Sequence, residues 1–174
     1  MRRAHAAAGS AVFLVLVPGT VAGLVPWWLT HWRSGPAYPL PVRVVGAVLA
    51  AAGAAVLRHA FTRFVIDGLG TPAPIAPTER LVVSGLYRYV RNPMYLAVVA
   101  VITGQALLLS HPTLLGYAAA VAATVAGFVH WYEEPTLTRR YGIAYQRYWQ
   151  TVPAWLPSLR RRPFATDEAP PHGQ

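Results

Sequence analysis

The chain has 174 residues, enough for one domain, and is 55% hydrophobic but only 12% charged, whereas a soluble domain carries about 25% charged residues, so an integral membrane protein is expected. Net charge is +9 and every basic residue is arginine; these arginines stand beside apolar runs, where they set topology rather than bind nucleic acid. Cysteine is absent, which excludes disulfides, thiolate zinc sites and iron–sulfur clusters.

Met1-Arg2-Arg3 followed by an apolar run is the opening of a secretory signal. The run continues from Ser10 to Trp32, however, and ends in Trp27, Trp28 and Trp32, which suit an interfacial belt. A retained first span is expected, with Pro18, Gly19 and Gly23 tolerated where neighbouring helices pack. A polar loop over His31–Pro41 leads to a second span at Val42–Ile66, whose Gly46, Ala50, Gly53 and Ala54 form a small-residue face. Asp67–Thr78 is rich in Gly and Pro and reads as a loop. A third span is predicted over Pro93–Ser110 and a fourth over Thr113–Trp131, joined by a tight turn at His111-Pro112. Beyond Pro135, Tyr141, Tyr145 and Tyr148 share one helical face among arginines, which predicts a short helix lying against the membrane or capping the site. Val152–Pro157 is extended and apolar, Arg160–Arg162 is basic, and 165–174 has the composition of a disordered tail. The expected fold is all-α: a membrane helical bundle of about four spans (range 4–5) plus a C-terminal interfacial helix.

Arginines beside the spans concentrate on one side, at Arg2, Arg3, Arg80, Arg88, Arg91, Arg139, Arg140, Arg147 and Arg160–Arg162, against Arg33 and Arg43 on the other. The positive-inside rule therefore places both termini in the cytoplasm. All-arginine basic usage and abundant alanine suggest a GC-rich bacterial genome, hence a bacterial inner membrane.

The chemistry concentrates in Ser84–Tyr95, dense in arginine, aromatic and turn residues, and in the adjacent acidic pair Glu133-Glu134 one helical hairpin later. A hairpin returns both to the same side of the bilayer, the cytoplasmic one. Carboxylates beside a membrane core are costly unless paired or functional. Such a set suits a zwitterionic ligand: glutamate meets an ammonium or ribose hydroxyls, arginine meets a carboxylate, and tyrosines cover an aromatic ring.

Ser84-Gly85-Leu86-Tyr87, Arg91-Asn92-Pro93-Met94-Tyr95, Glu133-Glu134, Tyr141–Tyr148 and Val152-Pro153, in this order and spacing, resemble the isoprenylcysteine carboxyl methyltransferase and phospholipid methyltransferase group. The resemblance covers roughly Glu79–Pro157. It implies a membrane-embedded, helical methyltransferase that uses S-adenosylmethionine on a lipophilic acceptor, either a prenylcysteine-like carboxylate, as on a lipidated substrate, or another small lipophilic molecule. It makes 1–164 one domain with its catalytic region at about 79–157. It makes Arg80, Leu81, Val82, Tyr87, Asn92, Pro93, Met94, Tyr95, Glu133 and Glu134 the cofactor site, with Glu133 the contacting carboxylate. Glu133, Arg91 and His130 are the catalytic candidates, His130 being the base nearest in sequence for an acceptor that must lose a proton. Two positions depart from the prenylcysteine enzymes. Asn92 stands where they have histidine, and cannot serve as a base near neutral pH. Val129 stands where they have an arginine linked to the substrate.

Other readings compete. Sterol-type reductases, which use NADPH, share an arginine–turn–proline–tyrosine hairpin, and a small non-enzymatic interaction protein would also show small-residue helix faces. The acidic pair followed by the tyrosine-rich helix favours the methyltransferase. No metal-ligand set stands out: His130, Glu133 and Glu134 have workable helical spacing, but the rest of the chain offers no partner. The tyrosine stripe is expected to be interfacial packing more than cofactor contact, and His59 a polar group satisfied between helices.

Overall fold

A computed structural model describes residues 16–67, 81 and 83–157. The expected Asp67–Thr78 loop beyond its first residue, Arg80, Val82, Arg160–Arg162 and the tail lie outside the described residues. The described chain is helical: α1 (Leu16–Thr30), α2 (Leu40–Asp67), α3 (Pro93–Leu108), α4 (Pro112–Tyr141) and α5 (Ile143–Thr151). Proline opens α3 and α4 at the position where a missing N–H costs nothing.

Among the described residues, two helices are long and apolar enough to cross a bilayer, Leu40–Thr62 in α2 with mean hydropathy 2.0 and the whole of α4 with 1.6. Twenty-three residues of helix rise roughly 34 Å, against a hydrocarbon core of about 30 Å. The described part of α1, and α3, are apolar but shorter. Leu40, Val44, Val45 and Val48 of α2 are exposed, as are Trp27, Trp28 and Trp32, which is the surface a lipid-facing chain presents. The protein is an all-α membrane protein.

Helix α3 is the centre of the bundle and packs against α1, α2 and α4. Its seam with α2 is tight because glycines face each other. A Cβ at Gly104 would lie 2.5 Å from the Ala50 backbone nitrogen, and one at Gly46 2.5 Å from that of Leu108. On its other side, Val98 and Ile102 of α3 meet Ala22 of α1 and Ala118 of α4, with Val21 and Tyr117 packed against them.

Two helices contain π turns, at Thr20–Leu24 in α1 and Val129–Glu133 in α4. In the first, Gln105 Nε2 donates to the Ala22 carbonyl at 2.7 Å and Tyr117 Oη to the Val21 carbonyl at 2.8 Å. Irregular backbone inside a membrane is tolerated where such partners exist. The second corrects the sequence reading. The fourth span was expected to end at Trp131 or slightly beyond, yet α4 runs on to Tyr141. The π turn changes the hydrogen-bond register immediately before Pro135, which sits in the first turn of the resumed α-helix, where its missing N–H is tolerated.

Gly142, at φ +54°, reverses the chain into α5. Tyr145, Tyr148 and Val152 are buried together against Leu81, Val83, Leu137 and Tyr141. The extended segment after α5 then returns to the arginine-rich stretch. Arg91 N–H donates to the Pro153 carbonyl at 2.9 Å, and Asn92 Nδ2 to that of Ala154 at 3.2 Å.

Candidate active site

The stretch Ser84–Asn92 is ordered by a short 3-10 helix, Gly85–Arg88, with Gly85 at φ +59°. Its Tyr87 is buried against Ala60 of α2, with Met94 alongside. The Tyr148 hydroxyl donates to the Tyr87 carbonyl at 2.7 Å, fastening α5 beneath the turn. Burial pushes both phenols well above the ordinary tyrosine range.

Across the hairpin, Tyr95 Oη donates to Glu133 Oε2 at 3.0 Å. The neighbouring carboxylate faces elsewhere: Glu134 Oε1 accepts from Arg91 Nη1 at 2.7 Å, in a pair whose side chains are 9% and 20% exposed. The Trp149 ring covers the Arg91 guanidinium at 5.4 Å from its centroid. Arg91 Nε is buried with no acceptor in hydrogen-bond geometry among the described residues, although the guanidinium also stands beside the Tyr145 hydroxyl.

Two cavities meet at these residues. One, of about 150 Å³, lies between α1, α2, α3 and α4 and is walled mainly by aliphatic side chains including Val17, Val21, Leu57, Val98, Val121 and Val125. The other, of about 80 Å³, is lined by Leu81, Val129, Glu134, Leu137, Tyr141, Tyr145 and Tyr148. Tyr87, Arg91, Asn92 and Glu133 line both. An apolar chamber and a smaller one with a larger polar share, hereafter the polar chamber although Leu81, Val129 and Leu137 also line it, thus share one charged and aromatic wall.

Of the residues expected from the sequence, Tyr87, Arg91, Asn92, Pro93, Met94, Tyr95 and Glu133 line the apolar chamber. Leu81 and Glu134 line the polar one. Arg80 and Val82 lie outside the described residues. His130 is not brought in: it is exposed, packs edge-on to Trp131, and borders an outer groove with Arg139 and Trp149. Three positions from Glu133 it would share a face in a regular α-helix, but the π turn that contains both residues rotates them apart. His59 is likewise exposed rather than held between helices.

The tyrosines expected to be interfacial packing are packed together, Tyr145 and Tyr148 buried, and they also line the polar chamber. Trp149 over Arg91, and Val98, Val121 and Val125 in the apolar chamber, were not singled out from the sequence. Their only signal there was a helical spacing shared with every core residue. Val129 is 3% exposed and lines the polar chamber, so the position where the prenylcysteine enzymes carry arginine is apolar wall here.

Comparison with curated proteins and with solved structures returned no match. The phospholipid methyltransferase family model matches residues 42–144, more than half of the chain, from the start of α2 to the first residues of α5. Its match takes in the arginine-rich turn, the hairpin and the acidic pair whose geometry forms the two-chamber wall. The chain therefore belongs to the phospholipid methyltransferase family, within the group its motifs resemble, and is a membrane methyltransferase.

Proposed function

We propose that the protein transfers a methyl group from S-adenosylmethionine to a small lipophilic acceptor at the wall shared by the two chambers. The observation that carries this reading is the wall itself, in which Tyr87, Arg91, Asn92 and Glu133 face both an aliphatic space and a smaller one that also holds Glu134 and three tyrosines. A charged methyl donor and a lipophilic acceptor require such a boundary.

The residues present fit the cofactor. Arg91 Nε, a buried donor with no acceptor in hydrogen-bond geometry among the described residues, suits its carboxylate, and Glu133 suits its positive charge. Leu81 and the tyrosines of α5 would enclose the remainder. When bound, the cofactor supplies an electrophilic methyl group together with its leaving group, so the protein's work is positioning and water exclusion.

Tyr95 orients Glu133 by donating to Oε2, which leaves Oε1 for a ligand. Glu134 neutralises Arg91 on the side away from that Nε. The Asn92 side chain is committed to the Ala154 carbonyl and holds the turn rather than moving protons. A carboxylate acceptor needs no base. For an acceptor that releases a proton, Glu133 is the ionisable acid in the shared wall, since His130 stands outside both chambers. The cofactor enters from the cytoplasm, on the arginine-rich side of an inner membrane, and the acceptor from the bilayer.

Calorimetry on detergent-purified protein tests this. S-adenosylmethionine and S-adenosylhomocysteine should bind saturably, NADPH should not, and Glu133→Gln should weaken both sulfur ligands. Binding of NADPH alone, or of none of the three by folded protein, overturns the proposal.

A further inference from the structure

The apolar chamber has a closed end. Along α4 its wall runs from Glu133 through Val125 to Val121, twelve residues or roughly 18 Å of helix. One turn further stands Tyr117, which does not line the chamber but packs against the layer of Ala22, Val98, Ile102 and Ala118. Ile102 is fully buried and Ala118 nearly so. Ile102 and Ala118 make this layer core, and Tyr117 closes it from a partly buried position at its edge.

The floor is also fastened. The hydroxyl of Tyr117 donates to the Val21 carbonyl, and Gln105 to that of Ala22, within the π turn of α1. Val21 is itself chamber wall. Two polar side chains from different helices thus fix the one irregular stretch of α1 where the chamber stops. Hydrogen bonds inside a membrane bundle are individually modest, but two from different helices hold this wall in one register.

The space above this floor is about 150 Å³, the size of an apolar cavity that holds a benzene-sized molecule. A diacyl lipid has no room in it.

We propose that the layer of Val21, Ile102 and Tyr117 is a ruler for the acceptor, that Tyr117 is its specificity-determining residue, and that the acceptor is a lipophile with a single short apolar body. This deepens the proposed function by naming the acceptor class, and rests on the apolar chamber being the acceptor site.

The test uses the full chain in nanodiscs and binding of n-alkanols from butanol to tetradecanol, with no cofactor present. The hydroxyl meets Glu133 and the alkyl chain fills the chamber. The unfolding midpoint should rise with chain length to an optimum and then fall, since a ligand that binds only the folded state stabilises it. Tyr117→Ala should shift that optimum upward by about one helical turn of chain, ~5 Å. Val121→Phe, which fills the chamber, should shift it downward, and keeps the test open if the alanine variant does not fold. Tyr117→Phe keeps the bulk and should leave the optimum in place. No stabilisation by any alkanol, the absence of an optimum, or one optimum shared by wild type and Val121→Phe overturns the ruler. Because no methyl donor is involved, failure here is separable from failure of S-adenosylmethionine to bind.

Discussion

The Tyr95 hydroxyl donates to Glu133 Oε2 at 3.0 Å, joining the first turn of α3 to the π turn of α4 across 38 positions of sequence. This bond connects the arginine–asparagine–proline turn to the acidic pair, and so fixes one wall for both chambers. Removing the hydroxyl with Tyr95→Phe should leave the fold intact and weaken S-adenosylmethionine several-fold. Glu133→Gln should weaken it by roughly 10- to 100-fold, the range of a charge-assisted hydrogen bond. Calorimetry on both variants reads the difference; equal affinities for both variants and wild type would remove the pair from the site.

The Arg91–Glu134 pair is mostly buried, and breaking one side leaves the other charge without compensation. Arg91→Met should lower folding stability by about 3 kcal/mol. Adding Glu134→Met to that variant should restore much of it, because the stranded carboxylate is then gone. A double-mutant cycle of unfolding midpoints checks this, and additive losses would show the pair to be uncoupled.

The glycine seam between α2 and α3 predicts a contrast. Gly104→Ala places a methyl group 2.5 Å from the Ala50 nitrogen, where helix backbones rather than a mobile side chain must move. A loss of about 2 kcal/mol is expected. Gly116→Ala, with nothing within 4 Å of the added Cβ, should be neutral or slightly stabilising. Thermal unfolding of the two proteins side by side decides it.

Much of this arrangement was legible in the sequence, and the exceptions share a cause. Asn92-Pro93-Met94-Tyr95 and Glu133 could be set together because a hairpin of two apolar spans returns its ends to one side. The small-residue face of the second span was legible because close helix contact requires it, and Gly46 and Gly53 do meet α3. The two π turns were not legible. A π turn is a single-residue change of register, and in α4 the apolar run gives way to His130, Tyr132 and two glutamates where that change occurs. His130 was named only as the base nearest in sequence, and nearness in sequence does not say which way a side chain on a π turn faces; it is exposed beside Trp131. Tyr145 and Tyr148 do share a buried face of α5, whereas Tyr141 ends α4 on the other side of Gly142, and periodicity does not say what a face meets. Here it meets Leu81, Val83 and the polar chamber.

The buried phenols of Tyr87 and Tyr148 give the protein an alkaline limit. Burial raises both folded-state values. Below about pH 10, the ordinary tyrosine value, neither state ionises and stability is unaffected. As pH rises beyond it, the unfolded chain releases protons that the folded chain retains, and stability falls. Tyr148→Phe should cost about 1 kcal/mol at neutral pH for its lost bond to the Tyr87 carbonyl. The same variant should flatten the decline in unfolding midpoint between pH 9.5 and pH 11.5. An unchanged slope would show that Tyr148 does not carry the alkaline limit.

The π turn at Val129–Glu133 sets where the hairpin can lose a residue and where it cannot. It closes with i→i+5 bonds where an α-helix uses i→i+4, so it holds one residue more over nearly the same rotation. Deleting one codon within it would let α4 relax into an unbroken α-helix with Glu134 and α5 close to where they stand, and the damage would fall on the turn itself, where Glu133 meets Tyr95. The regular helix before it has no such buffer. Losing a residue there would swing everything beyond by roughly 100°, taking Glu134 from Arg91 and Tyr148 from the Tyr87 turn. The extra residue of the π turn is the one length change this wall can absorb.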